Sequence, residues 1–119
     1  MSRAGHITIQ THGAFELGLG TALIVLPYAI GLSPGAVIAG IALGALLCGL
    51  AITGSEPGDR ASVPLTAHAT YDWVLCLALL AAGIVFGVAQ GVAPLAFFLS
   101  AGAVELALVA RTSYSAQRA

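Results

Sequence analysis

Apolar residues run almost without interruption from position 13 to position 54, broken only by Gly31-Leu32-Ser33-Pro34-Gly35. They run again from position 70 to position 110, broken by Gly91-Val92-Ala93-Pro94. Neither run alternates as a half-buried strand would, and each half is long enough for two helices of about 20 apolar residues, the length that crosses a hydrocarbon core. The pattern predicts spans at 14–31, 34–53, 70–90 and 94–110: an all-α, four-helix transmembrane bundle built from two helical hairpins. One integral membrane domain over 1–119 is expected, its halves divided by a polar linker at 54–69.

Local residue choices sharpen these boundaries. Pro27 removes a helical N–H and should kink the last turn and a half of the first span. Ser33 is a natural cap, and Pro34 suits a first helical turn, where the missing N–H has no helical partner. Thr70 is the expected cap of the third span. Tyr28, Trp73 and Tyr114 are placed at headgroup depth, where amphipathic rings are favoured. The arm 1–12 is polar enough to stay in water, with Ile7-Thr8-Ile9 as a short extended piece at the interface. The first apolar segment outruns a signal-peptide core and continues through a turn into another, so it is read as retained in the mature chain.

Composition changes the picture in one respect: it makes lipid the main solvent. The chain is 59% hydrophobic and 8% charged, with a mean hydropathy of +1.00, values that leave no polar surface for a water-soluble domain. Net charge is −1 and lysine is absent, which excludes a nucleic-acid partner and a polybasic anchor. Arg3, Arg60, Arg111 and Arg118 all fall in the arm, the linker or the tail, and the two short turns carry no charge. Positive residues mark the cytoplasmic side, so both termini and the linker are placed in the cytoplasm of a cell membrane. Alanine and glycine richness points to a bacterial source.

Gly40 and Gly44 in the second span, and Gly83, Gly87 and Gly91 in the third, recur at four-residue spacing and present a small face to a neighbouring helix. Packing within one bundle is the preferred reading. A homo-oligomer or another membrane protein remains open as a partner beside the lipid bilayer. The halves also correspond: His12 and Glu16 match His68 and Asp72 at the same spacing, as an internal duplication related by an axis along the membrane normal would give.

The candidate chemistry lies in His12, Glu16, His68, Asp72 and Glu105, read as a proton or cation site. A histidine and an acid four residues apart share one helical face. For Glu16 and Asp72 the plainer reading is a carboxylate in a first helical turn, stabilised by the helix dipole. Glu105 lies inside its span near the unfavourable end, and Arg111, six positions on, is about 120° round the helix. Glu105 is therefore protonated, snorkelling or paired across helices, with His12, His68 or Asp72 as natural partners. A mixed site including Cys48 and Cys76 is conceivable, but buried cysteine commonly acts as a small hydrophobe, so no metal and no cofactor is expected. No Cys-x-x-Cys, Gly-x-Ser-x-Gly, His-Glu-x-x-His or phosphate loop is present.

The stretch Leu23-Ile24-Val25-Leu26-Pro27-Tyr28, followed by a glycine-rich span, resembles the SPW-repeat membrane proteins, whose two-helix unit carries Ser-Pro-Trp at a helix end. Leu26 stands for the serine and Tyr28 for the tryptophan, and the likeness covers one hairpin. It implies a two-helix unit and no particular activity. Size, four spans and a glutamate in the first also make the chain similar to small multidrug resistance transporters, which hold that glutamate deeper and among aromatic residues. The resulting expectation is a small membrane protein of structural or interaction type and no enzyme, with a proton- or cation-coupled carrier as the alternative.

Overall fold

The computed structural model describes residues 6–54 and 64–114. Within them stand four helices: α1 (Ile9–Ala29), α2 (Pro34–Gly54), α3 (Leu65–Gln90) and α4 (Val92–Arg111). At 20 to 26 residues they are about 30–39 Å long, and all four are long and apolar enough to cross a membrane. The fold is an all-α, four-helix bundle, as the apolar runs require. Large apolar side chains point outward along every helix, among them Leu46, Ile52, Leu77, Ile84 and Val88, which suits a bundle whose surroundings are lipid. Arg3, Arg60 and Arg118 lie outside the described residues.

Helix α1 starts five residues earlier than the sequence predicts, because Thr8 caps it: its Oγ1 accepts from the Thr11 amide at 3.3 Å. The arm therefore does not stay in water up to His12, which is fully buried. Ile7 is extended, as predicted, but it pairs with the end of α4. Its N–H donates to the Arg111 carbonyl at 2.8 Å, and its carbonyl accepts from the Ser113 amide at 3.0 Å. Helix α3 likewise begins five residues early, at Leu65, so Thr70 is no cap. Its hydroxyl donates back to the Thr66 carbonyl at 3.0 Å inside the helix.

The first hairpin turn follows from its glycine. Gly31 has φ +78°, the Gly31 amide donates to Tyr28 and the Leu32 amide donates to Pro27, the paired bonds of a Schellman ending. Ser33 caps α2 through the Ala36 amide at 3.2 Å, as predicted. The second turn is tighter: Gly91 alone, at φ +99°, separates α3 from α4, so Val92, Ala93 and Pro94 are helical rather than part of the turn. The Ser33 hydroxyl donates to the Gln90 side-chain oxygen at 2.8 Å, which places both turns at one end of the bundle.

Each hairpin packs tightly within itself. A methyl on Gly40 would stand 2.5 Å from the Leu23 carbonyl, the acceptor that Pro27 leaves without its helical N–H, and one on Gly44 would stand 2.5 Å from the Gly20 carbonyl. Methyls on Gly83, Gly87 and Gly102 would meet Leu99, Leu95 and Leu80 across the α3–α4 seam at 2.6–3.0 Å. Gly91 does not belong to this set: nothing lies within 4 Å of it, and its glycine serves the turn. Between the hairpins sits a core of Leu23, Ala36, Leu47, Leu75, Leu79, Phe98 and Ala101, with Phe98 stacked on Phe86 at 5.8 Å.

Candidate functional site

At the end opposite the two turns, α1 and α3 each turn a histidine and an acid inward. The four-residue spacing puts His12 above Glu16 on one face of α1 and His68 above Asp72 on one face of α3. All four are fully buried. Nε2 of His12 lies 3.2 Å from Glu16 and 3.0 Å from Asp72; Nε2 of His68 lies 3.4 Å from Glu16 and 3.2 Å from Asp72. Glu16 offers a different oxygen to each imidazole, whereas Asp72 offers Oδ2 to both. The rings meet edge-on, with centroids 5.6 Å apart.

Glu16 and Asp72 are thus not first-turn carboxylates in contact with water. The early starts of α1 and α3 carry them two turns in, neither helix has an acid in its first turn, and both side chains are sealed. Helix-dipole stabilisation near solvent does not account for them.

Glu105 approaches from α4 and is also fully buried. It interacts electrostatically with Glu16, Asp72 and His12, and neither of its oxygens makes a hydrogen bond of good geometry. Two acids side by side in an apolar interior need a shared proton or a cation between them. All five ionisable residues proposed from the sequence therefore occupy one neighbourhood.

Three further residues shape the site. Nδ1 of His12 lies 2.6 Å from the Thr112 hydroxyl, whose own proton goes to the Leu108 carbonyl, so the imidazole is the donor and Thr112 the acceptor. The Tyr114 hydroxyl donates to Asp72 Oδ2 at 2.6 Å, and its ring lies edge-on to His12 at 5.5 Å. Burial and the adjacent Asp72 carboxylate raise the Tyr114 phenol above its ordinary range, which keeps it protonated as a donor. Gly54, at the end of α2, leaves room for the His68 ring, which a methyl there would strike at Nδ1 and Cε1.

Tyr114, placed by its residue type at headgroup depth, turns its hydroxyl onto Asp72 and forms a half-buried lid on the site. Thr112 and Gly54 carry no sequence signal for this role beyond lying next to helix ends that the hairpin topology brings together. Neither cysteine joins the cluster. Cys48 faces the Leu17 carbonyl and Gly20, and Cys76 faces the Gly102 carbonyl at 3.6 Å, both as small packing residues.

What the four residues offer together is a converging donor set: one ligand atom from each of His12, Glu16, His68 and Asp72, all within 4.8 Å of one another. No protein-family model, curated protein or solved structure matches the chain.

Proposed function

We propose that this chain is a small integral membrane protein of structural or interaction type, without catalytic activity of its own, whose two hairpins are held together by a buried cation-binding centre. The observation that carries this reading is the convergence of His12, Glu16, His68 and Asp72. Their nitrogens and oxygens approach to 3.0–3.4 Å in full burial, yet neither Nε2 makes a hydrogen bond of good geometry. Groups of this kind are costly inside a membrane bundle, and a proton or metal ion held among them offsets that cost. The cation thereby ties α1 to α3.

The surroundings are read in the same way. The arginine distribution supports termini and linker on the cytoplasmic side of a bacterial cell membrane. The likeness to SPW-repeat proteins supports the two-helix hairpin as the building unit, and the bilayer is the principal partner, with self-association open.

The test is the stability of the full-length protein in detergent. Glu16→Gln, Asp72→Asn and His12→Gln each break the charge pattern of a buried cluster, and each should cost about 3–5 kcal/mol in thermal or denaturant melting. Three variants that melt like the parent protein would sink the reading.

A second reading has one observation in its favour. Glu105 from α4 stands against Glu16 and adds an acid beside the centre, as a proton- or cation-coupled carrier using Glu105, Glu16 and Asp72 would need. In proteoliposomes a carrier shows pH-dependent flux that Glu105→Gln abolishes. A structural centre shows no flux with or without the substitution, and Glu105→Gln leaves the bundle folded and equally or more stable.

A further inference from the structure

We infer that the cation at this centre is a resident divalent ion of the first-row transition metals, held by Nε2 of His12, Nε2 of His68 and the carboxylates of Glu16 and Asp72. This rests on the reading of the cluster as a cation site and names what occupies it. Three lines of argument about the same four residues lead to the metal.

The first is spacing. Metal–nitrogen and metal–oxygen bonds of about 2.0–2.1 Å in a tetrahedral site put the ligand atoms about 3.3–3.4 Å apart along each edge. Asp72 Oδ2 lies 3.0 and 3.2 Å from the two Nε2 atoms, the two oxygens of Glu16 lie 3.2 and 3.4 Å from them, one each, and one ligand atom from each of the four residues gives a set within 4.8 Å. None of these contacts has the geometry of a good hydrogen bond from Nε2. The atoms converge on a common centre and not on each other.

The second is the tautomer of His12. Thr112 gives its proton to the Leu108 carbonyl, so it accepts the proton on His12 Nδ1. With the ring neutral, Nε2 presents a bare lone pair to two carboxylate oxygens, which a metal ion between them makes favourable; with the ring protonated, its own proton is the cation. A hydrogen bond on the outer nitrogen that fixes the inner one as ligand is the usual outer shell of a metal-bound histidine. Tyr114 donates to Asp72 Oδ2, the oxygen that faces both imidazoles, and so holds that carboxylate oriented toward them.

The third is charge and donor type. Metal-bound imidazoles are neutral, so the ligand set carries two negative charges, and a divalent ion cancels them where a monovalent one does not. Two nitrogen donors select zinc, iron, cobalt, nickel or copper over magnesium and calcium, which take all-oxygen surroundings. The cysteine sulfurs stay outside the set.

The experiment uses the whole chain, purified in detergent from medium of defined metal content, with metals counted by mass spectrometry and apoprotein titrated with Co2+. About one transition-metal ion per chain is expected. Co2+ should give the visible absorption of a four-coordinate nitrogen–oxygen site, displaced by Zn2+. His68→Gln and Asp72→Asn should lower occupancy at least tenfold, whereas Cys48→Ala leaves it unchanged. Tyr114→Phe and Thr112→Val, which keep every ligand, should weaken Co2+ affinity about 10- to 100-fold, a result that does not depend on the ligand variants folding. The assignment is overturned if the parent protein carries no transition metal and gives no Co2+ spectrum. If it then still takes up protons at its carboxyl groups, seen by infrared difference spectroscopy, the cation centre stands and only the metal falls; if it binds neither, both fall. Loss of the metal in Cys48→Ala also overturns the ligand set.

Discussion

The side chains that decide this protein's chemistry are few, and each depends on a neighbour contributed by another helix. Tyr114 and Thr112 come from the segment after α4, yet they fix Asp72 on α3 and His12 on α1. Removing the Tyr114 hydroxyl leaves a buried carboxylate short of a donor, and Tyr114→Phe should destabilise the bundle by about 1–2 kcal/mol in detergent melting. Thr112→Val takes away the acceptor for the His12 N–H, which should cost about 1–3 kcal/mol, and Thr112→Ser should recover most of it. Gly54→Ala sets a methyl against the His68 ring and displaces it. The expected sign is loss of the cluster with little change in helix content, read as lowered melting with unchanged circular dichroism.

At the scale of the helices, glycine does two different jobs. In the seams it lets backbones approach, so Gly44→Leu and Gly102→Leu should open their hairpins, seen as aggregation or failure to extract a monodisperse protein. Gly91 has open space around it, but at φ +99° and ψ −162° its backbone lies where side-chain-bearing residues are strained. Gly91→Ala should therefore cost about 1–3 kcal/mol without any steric clash. Gly18 and Gly49 also have nothing within 4 Å and lie in ordinary helix. Alanine there should be neutral or stabilise by up to about 1 kcal/mol, which separates conformation from packing in the same melting assay.

For the whole molecule the central fact is that two self-contained hairpins are fastened at both ends by different means. At the turn end the fastening seen among the described residues is the Ser33–Gln90 hydrogen bond over the Phe98 core. At the other end the histidine–carboxylate centre and the pairing of Ile7 with Arg111 and Ser113 tie α1 to α3 and α4. Variants of the centre should therefore separate the hairpins before either hairpin melts. A disulfide engineered across the α1–α3 end should restore the melting temperature of Asp72→Asn, while one within α1–α2 should not.

Much of this architecture was legible in the chain. Uninterrupted apolar runs of the right length dictate helices in lipid, and Gly31, Ser33 and Pro34 mark the first turn by their own backbone preferences. The His-x-x-x-acid spacing puts each pair on one face, because helix geometry is local. Helix starts were less legible: Thr8 and Leu65 lie in polar surroundings that read as arm and linker, and the Thr8 cap together with burial of His12 and His68 carries the helices to them. Those few residues decide whether Glu16 and Asp72 are wet first-turn acids or sealed ligands. That the two pairs face each other, that Glu105 joins them and that Tyr114 closes over them depends on how the hairpins rotate about their axes. Rotation is fixed by contacts between residues as far apart as His12 and Thr112, and no local preference encodes it.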